Sequence, residues 1–401
     1  MLLLILGATA AEAKTSCSDM LAALASSMSA SPTRVASTKA RAIPIAFTTF
    51  LVGRGQEQML PLRLMYASAQ QQHSGRPGSC PVLLTDMETN VSAALSKQLL
   101  ILRYKLPYPS SASERIPGQP AWRMVPKYIC SNRLASEARF IAEVAAGVHT
   151  CAGVTRFHIA LIDSDVLLVG SLAPLLMEHH FSVAFTVRHH RTMPINNGVR
   201  LVSASSHAGL QLAARFYSQL ISMVHLMTAT KGKGLEGFMQ GPVFWYEQKA
   251  TALVLGHDPR DPTSLAPFRD MAHATLMPAG SVLILPAKYF NHGLAEATSR
   301  HSTHPCKDAR LRPTCGVTAI HFKSNNKCAM LAPACVALAG VGAEEAAVIQ
   351  QQATAACATR SGLSNGTTAI RERSVPNSRV ATRDRTHPSG RTAARSWFAF
   401  G

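Results

Sequence analysis

The sequence predicts an α/β protein with a nucleotide-binding type of sheet, and two observations support that prediction. Residues 157–169 form an apolar run interrupted only by Asp163 and Asp165, as expected for a buried strand of a parallel sheet that ends at the two acids. The first part of the chain reads in turn as strand, helix and strand, over residues 42–50, 56–72 and 80–86. A β-α-β opening with polar residues at both strand ends is typical of nucleotide-binding half-sheets.

Asp163 and Asp165 are candidate metal ligands. Two carboxylates beside an apolar strand are costly unless a cation compensates their charge. Their place after the strand puts them at the edge where open α/β sheets bind ligands. Carboxylate oxygens suit Mg²⁺ or Mn²⁺, which also bind substrate phosphates. The alternative is an ordinary Asp-Ser-Asp turn, and the tripeptide alone does not decide between the two.

The composition allows one large α/β domain with extensions, or two domains, because 47% of the 401 residues are hydrophobic. The formal net charge of +18 would attract nucleic acid, anionic glycans, a membrane surface or nucleotide diphosphates. Zinc-finger spacing, aromatic RNA-binding signatures and Lys/Arg-dense helices are absent from the sequence, so we predict no nucleic-acid partner. We also expect no transmembrane span, because no clean apolar segment has the necessary length.

Two segments are predicted to precede the main domain. Residues 1–13 are a short apolar stretch ending in Ala-x-Ala, which fits a signal peptide. Residues 14–41 are polar and rich in Ser and Ala, as expected for a linker or stem. The main domain is predicted over residues 42–335. Residues 336–401 are expected to form an Ala-rich helix and a disordered basic tail, because the segment after Arg360 has few apolar side chains to offset the entropy of ordering.

Within the main domain the apolar pattern predicts further elements. Residues 131–148 have helical spacing and lead into the strand before Asp163. Beyond the acids we expect strands at 182–187 and 195–203, a helix at 210–227, and short strands at 282–285 and 318–323. Three polar residues at the first two strand ends are expected to face a nucleoside, although ordinary strand-end polarity explains them as well; they are Thr48, Thr49 and Asp86.

Four short motifs occur in an order and at spacings that together indicate one family. Ile162-Asp163-Ser164-Asp165 is followed by residues 170–175, then by Pro-Ile-Asn-Asn-Gly-Val-Arg-Leu-Val at 194–202, and late in the chain by Ile320-His321-Phe322-Lys323. They resemble the DxD motif and the segment after it, the NxG strand, and the closing HF-G-K motif of glycosyltransferase family 8 and related nucleotide-diphospho-sugar transferases. The resemblance covers residues 42–327. It implies a GT-A fold, which is a Rossmann-like nucleotide-binding mixed sheet flanked by helices.

The resemblance also implies a reaction and a metal. The chain would move a sugar from a nucleoside diphosphate sugar, in the first place a UDP-sugar, to a glycan or glycoprotein acceptor, with retention at the anomeric carbon. Asp163, Asp165 and His321 would hold Mn²⁺ or Mg²⁺, because a neutral imidazole can join two carboxylates as a ligand.

Further site residues follow from the same resemblance. Lys323 would offset diphosphate charge, with an ordinary surface lysine as the alternative. Arg139, on the helix before the DxD strand, would reach the nucleotide or its phosphates, although an exposed helix charge explains it more simply. Asn197 would read sugar hydroxyls, and Gln240 falls where family members carry Asp-Gln near the acceptor. Together with the strand-end residues, the predicted cofactor-binding residues are Thr48, Thr49, Asp86, Arg139, Ser164 and Lys323, and the predicted catalytic residues are Asn197 and Gln240.

The nine cysteines bear on the cellular compartment. They contain no CxxC pair, which argues against structural zinc and a thioredoxin-like centre. The cluster from Cys306 to Cys335 supplies candidate disulfides in an oxidising compartment, and buried free thiols explain it equally well. Together with the signal peptide, this predicts the lumen of the secretory pathway, in the Golgi or endoplasmic reticulum, or secretion.

Two other classes of function stay open. The chain would be a catalytically inactive GT-A module that binds glycans or partners if its acceptor site is degraded, since Gln240 lacks the acid that precedes it in the family. Alternatively, the chain would be a basic secreted protein that binds anionic polymers. Its affinity would then depend steeply on salt concentration and would not respond to Mn²⁺.

Overall fold

The computed structural model of the protein describes eleven ranges of the chain. They are residues 43–53, 59–73, 78–115, 124–188, 194–230, 242–257, 275–276, 281–293, 317–322, 327–331 and 333–365. The predicted signal peptide, the linker, Gln240, Lys323 and the tail beyond residue 365 lie outside these ranges. The chain divides into two compact units, Met1–Cys357 and Ala358–Gly401, and the second is described only as far as Asn365.

The main sheet contains eight of the described strands in the order β10-β11-β8-β9-β6-β1-β2-β3. Strands β3, β2, β1 and β6 run parallel to one another, whereas β9 is antiparallel to both β6 and β8. The predicted α/β fold with a mixed sheet is therefore confirmed. The strands are β1 Ile45–Phe50, β2 Ser79–Thr85, β3 Leu100–Arg103, β6 His158–Ile162, β8 Val183–Val187, β9 Ile195–Val202, β10 Thr275–Leu276 and β11 Val282–Pro286.

Helices cover both faces of this sheet, because its central strands are apolar on both sides. On β6, Ile159 and Leu161 face one hydrophobic cluster, and Ala160 and Ile162 face the other. The first cluster includes residues of α3 Ile129–Ala145, α5 His207–Thr230 and α6 Tyr246–Val254, which follows a 3₁₀ turn at Val243–Trp245. The second cluster includes residues of α1 Met59–His73 and α4 Ala173–Glu178.

Short helices complete the described structure. The helix α2, Ala93–Ser96, lies between β2 and β3, and α7, Ala287–Phe290, follows β11. Three described helices begin at or after Lys327, and the last of them lies within residues 336–401, where an Ala-rich helix is predicted. They are α8 Lys327–Met330, α9 Pro333–Leu338 and α10 Ala343–Asn365. Among the described residues, no helix combines the length and the apolar character needed to cross a membrane.

A small second sheet brings a late part of the chain beside the two acids. Its strands are β7 Val166–Leu168, β12 His292–Gly293 and β13 Ala319–His321, in the order β12-β13-β7. The pairing of β13 with β7 is antiparallel and sets His321 opposite Val166. A separate hairpin pairs β4, Ser113–Arg115, with β5, Met124–Pro126.

The cysteines follow both of the expected patterns. Disulfides join Cys80 to Cys151 and Cys328 to Cys357. Cys335 is also disulfide-bonded, as expected for the late cysteine cluster. Cys130, in contrast, is a buried free thiol, and burial raises its pKa, so this side chain is an inert part of the core.

Candidate functional site

Asp163, Asp165 and His321 converge at the carboxyl end of β6, and we call these three residues the metal cluster. One potential ligand atom from each lies within 4.8 Å of the other two. The Nε2 atom of His321 is 3.2 Å from Asp165 Oδ1 and 3.8 Å from Asp163 Oδ2. The structure therefore brings together the three predicted metal ligands, although His321 is far from the acids in the sequence.

Backbone hydrogen bonds hold the cluster in place. The Asp163 amide donates to Gly198 O over 2.9 Å, which extends the pairing of β6 with β9, and the Val166 amide donates to Asp163 O over 3.1 Å. On the other side, the Phe322 amide donates to Asp165 O over 2.8 Å. The two acids thus sit in a tight connection between β6 and β7, and β13 fixes His321 against that connection.

The donor set fits a divalent metal ion. Two carboxylates and one imidazole suit Mn²⁺, and Mg²⁺ takes one or two carboxylates together with substrate phosphates. The Nδ1 atom of His321 is 2.8 Å from Asn291 Oδ1, so the ring has a second, protein-bound edge as metal-ligating histidines do. Gly198 makes room for this contact, because a Cβ there would be 2.6 Å from His321 Nδ1 and 2.7 Å from Asn291 Oδ1.

Helix α3 supplies a basic side chain to the cluster, and that side chain is Arg133. Its Nη1 donates to Asp163 Oδ1 and its Nη2 donates to Glu247 Oε2 over 2.6 Å. Burial lowers the pKa of Arg133, but the two carboxylates more than compensate and raise it well above its usual value. Arg139, the residue expected from the sequence, is instead 60% exposed, bonded to Glu143 and stacked over the Tyr104 ring.

Arg133 also belongs to a buried chain of charges, which we call the sealed ion network: Glu137, Arg200, Glu247 and Arg133. Arg200 Nη1 donates to Glu247 Oε1 over 3.0 Å, and Arg200 Nη2 donates to Glu137 Oε1. The side-chain nitrogen of Asn197, Nδ2, donates to Glu247 Oε1 over 3.0 Å. The side chain of Glu247 is 0% exposed, so its carboxylate acts on the site through Arg133 and Asn197.

Burial changes the pKa of Glu137, at the end of the network away from Asp163. It raises the pKa of Glu137 to about 7, although Arg200 and Arg133 oppose that rise. Among the described residues, four buried polar atoms of the network and of Asn197 have no hydrogen-bond partner, namely Glu137 Oε2, Asn197 Oδ1, Arg133 Nε and Arg200 Nε. Asn197, predicted to read sugar hydroxyls, is thus placed with its amide on Glu247 and its carbonyl oxygen unpaired.

The residues predicted to contact the nucleoside are partly or fully buried. Thr48 and Thr49 are buried in the sheet, and Thr48 Oγ1 donates to Ala46 O over 3.4 Å. Asp86 organises the turn after β2, because its Oδ1 accepts from the Thr89 amide over 2.7 Å. Ser164 is half-buried between the two acids. As nucleotide contacts these four residues stay predictions, and the two threonines would have to become accessible. Gln240 and Lys323 lie outside the described residues.

Sequence reasoning missed Arg133, Arg200, Glu247 and Asn291. One signal was present for Arg200, because an arginine inside the apolar run of β9 needs a buried partner. Another was present for Arg133, which precedes Glu137 by four residues beside the apolar stripe of α3. The sequence carried no comparable signal for the partners on the other elements.

Comparisons with known proteins give structural neighbours only. No protein-family model and no curated protein matches the chain. The galactosyltransferase LgtC, in complex with donor and acceptor sugar analogues, is 14% identical, with 75% of this chain and 98% of LgtC covered and a TM-score of 0.36. The glycosyltransferase GlyE of Streptococcus pneumoniae TIGR4 is 14% identical, with 71% of this chain covered and a TM-score of 0.34. The chain spans about half of GlyE, 55% of its length.

Proposed function

We propose that this chain is a GT-A glycosyltransferase that moves a sugar from a nucleoside diphosphate sugar to a glycan or glycoprotein acceptor in a metal-dependent reaction. The convergence of Asp163, Asp165 and His321 within 4.8 Å supports this proposal more than any other observation. The sequence predicts these three residues as metal ligands although they come from two distant parts of the chain. An ordinary Asp-Ser-Asp turn does not require a histidine from another strand to lie against it.

The metal cluster would hold the ion, with Mn²⁺ preferred to Mg²⁺ because an imidazole is among the ligands. A divalent ion at this place supplies Lewis-acid stabilisation of the charge that builds on the leaving diphosphate. The chain's own contribution is to keep three donor atoms at one point of the sheet edge. Ser164 lies between the two carboxylates, and Lys323 follows two residues after His321, where a cation would add to the same stabilisation.

Arg133 and Glu247 position the site from the side of α3 and α6. Arg133 holds one oxygen of Asp163, which leaves Oδ2 directed toward His321. Glu247 holds Arg133, and its buried carboxylate is itself fixed by Asn197 and Arg200. Each member of this chain of contacts is thereby restrained by the next, so that the carboxylate of Asp163 is preorganised.

The finer features of the reaction are part of the same proposal. We propose UDP as the nucleotide and retention at the anomeric carbon, both on the strength of the motif resemblance. Retention needs no carboxylate that activates an acceptor hydroxyl as a general base. Glu247, which shares Arg133 with Asp163, is fully buried and hydrogen-bonded, which fits a positioning role.

Donor hydrolysis tests the proposal. The full chain is incubated with a panel of UDP- and GDP-sugars, with Mn²⁺ or with a chelator, and released nucleoside diphosphate is measured. We expect metal-dependent release from one donor, and loss of that release in Asp165→Asn. Glu345→Gln is the matched control, because it makes the same acid-to-amide change in a surface ion pair with Arg63. Release that persists in the chelator would contradict the proposal.

One observation favours a second candidate, an inactive GT-A module that binds a glycan or a partner. The guanidinium of Arg133 already neutralises Asp163 and competes with a metal for that carboxylate. In this case Mn²⁺ and UDP would bind without release from any donor. Binding of neither would eliminate both candidates and leave the basic polymer-binding protein.

We propose the lumen of the secretory pathway, or secretion, as the location. Disulfides Cys80–Cys151 and Cys328–Cys357 support an oxidising compartment. Expression of the full chain with fluorescent markers of the cytosol and the secretory pathway tests this. A cytosolic chain with reduced thiols would contradict it.

A further inference from the structure

We propose that Asn291 is a positioning residue that fixes the proton of His321 on Nδ1 and so presents Nε2 to a metal ion. The inference rests on the proposed function and adds a residue that none of the sequence motifs contains. Asn291 lies between α7 and β12, and it is completely buried.

The orientation of the Asn291 amide follows from its partners. Its nitrogen, Nδ2, is 3.3 Å from Asn196 O and 3.0 Å from Thr186 Oγ1. A backbone carbonyl only accepts hydrogen bonds, so the atom facing Asn196 O must be the NH₂ group. Thr186 Oγ1 donates its own proton to Asn196 O, and its lone pairs are free to accept from Asn291. The remaining atom of the amide, Oδ1, therefore points at His321.

The orientation of Asn291 then fixes the tautomer of His321. An amide oxygen cannot donate, so at 2.8 Å the shared proton must come from His321 Nδ1. In a neutral imidazole the other nitrogen then carries a lone pair. That nitrogen, Nε2, is the atom that lies 3.2 Å from Asp165 and 3.8 Å from Asp163. Without Asn291, the same carboxylates would favour a proton on Nε2, which blocks metal binding there.

The packing around this contact leaves little alternative. Gly198 lies under both side chains, at distances where any Cβ would collide with them. The Thr318 amide donates to Tyr289 O over 2.7 Å, which ties the segment before Asn291 to the start of β13. Asn291 and His321 therefore approach each other from two segments that the backbone holds together.

The tautomer can be measured without a metal. The metal-free chain is labelled with ¹⁵N-histidine, and His321 is assigned by its absence in His321→Gln. The two ring nitrogens are then observed at a pH about two units above the ordinary histidine pKa. We expect the Nδ1–H form in the wild-type chain and the Nε2–H form in Asn291→Leu. The Nε2–H form in the wild-type chain, or no change in the variant, would overturn the proposal.

Calorimetric titration with Mn²⁺ measures the consequence. We expect Asn291→Leu to weaken Mn²⁺ binding roughly 10- to 100-fold, the usual effect of losing an outer-shell partner. Asn291→Asp still offers an acceptor to Nδ1–H but places an oxygen against Asn196 O, so its Mn²⁺ affinity should lie between those of the wild-type chain and Asn291→Leu. Tyr66→Phe is the control, because it removes one buried hydrogen bond, to Val82 O on β2, from a residue outside the site. Equal affinity in the wild-type chain and Asn291→Leu would overturn the proposal.

The two measurements separate this inference from the proposed function. A wild-type chain that binds no Mn²⁺ would contradict the proposed function, and the histidine spectra would still decide whether Asn291 sets the tautomer. A wild-type chain that binds Mn²⁺ with an unchanged tautomer in Asn291→Leu would contradict the inference alone.

Discussion

The metal cluster and the sealed ion network are adjacent, and their charged side chains are arranged differently. In the sealed ion network acids and arginines alternate, so that each carboxylate meets a guanidinium, from Glu137 to Arg200 to Glu247 to Arg133. In the metal cluster two carboxylates and an imidazole meet with their potential ligand atoms within 4.8 Å. Arg133 joins the two regions, because one of its nitrogens binds Glu247 and another binds Asp163.

We infer from this difference which charges are structural and which would serve the proposed function. Alternating charges satisfy one another, and such a network holds its shape without a ligand. In the metal cluster Arg133 pairs with one oxygen of Asp163, whereas Asp163 Oδ2 and Asp165 Oδ1 both face His321 Nε2. A bound cation would offset the repulsion between those two carboxylates. The number of acids in each region is the same, so arrangement rather than composition distinguishes them.

Breaking the sealed ion network should have the largest effect. Replacement of Arg200 by Met leaves Glu137 and Glu247 buried with one cation fewer, and we expect a loss of about 3–5 kcal/mol in the free energy of unfolding. Urea denaturation measures it. The matched control is Arg63→Met, which breaks a partly exposed arginine–glutamate pair with Glu345 and should cost less than about 1 kcal/mol. Equal losses in the two variants would show that the network is not a structural unit.

Removing a ligand from the metal cluster should spare the fold. In Asp165→Asn we expect Mn²⁺ affinity to fall more than roughly 100-fold, beyond the effect of an outer-shell residue. The unfolding free energy of the metal-free chain should fall much less than in Arg200→Met, because one of two like charges is removed. Calorimetry and urea denaturation of the same sample test this contrast. A variant that unfolds as readily as Arg200→Met would assign Asp165 to the structural class.

A smaller effect is expected from Gly198→Ala, which crowds the cluster without changing its charge. The added methyl group would lie 2.6 Å from His321 Nδ1, so the imidazole must move. We expect Mn²⁺ affinity to fall roughly tenfold, at the low end of outer-shell effects. Gly342→Ala is the control, since a Cβ at that position meets nothing within 4 Å. Unchanged affinity in Gly198→Ala would mean that the ring tolerates the displacement.

A separate effect concerns the pH dependence of stability. Burial raises the pKa of Glu137 to about 7, so the folded chain keeps a proton that the unfolded carboxyl releases above about pH 4.3. The free energy of unfolding should therefore decrease as pH rises from about 4.3 to 7, and this component should be constant above that range. Glu137→Gln should lose this component, whereas Glu345→Gln should retain it. Identical pH slopes in the wild-type chain and Glu137→Gln would exclude Glu137 as the source.

Much of the fold was accessible from the sequence because each element carries its own period. The apolar run before Asp163 became β6, His158–Ile162, and the helical spacing at 131–148 became α3, Ile129–Ala145. The pairing of β13 with β7 was not accessible, because no local pattern records which strands meet across long stretches of chain. The antiparallel direction of β9 was not predicted either, because the family resemblance implied only that the sheet is mixed.

The candidate site divides in the same way. Asp163, Asp165 and His321 were found because each stands within a recognisable motif. Arg133 was missed in favour of Arg139, six residues later and roughly 240° further round the helix. Helical spacing identifies an apolar face, but it does not tell which neighbouring side chain reaches past that face to a distant strand. Glu247 and Asn291 were missed because their partners lie on other elements.

The central claim is that the metal cluster serves a nucleotide diphosphate. The most direct measurement is calorimetric titration of UDP into the full chain, once with Mn²⁺ and once with a chelator. We predict that Mn²⁺ strengthens UDP binding by at least about tenfold, with a reciprocal effect of UDP on Mn²⁺ affinity, and that Asp165→Asn abolishes this coupling. The same UDP affinity in Mn²⁺ and in chelator would contradict the claim.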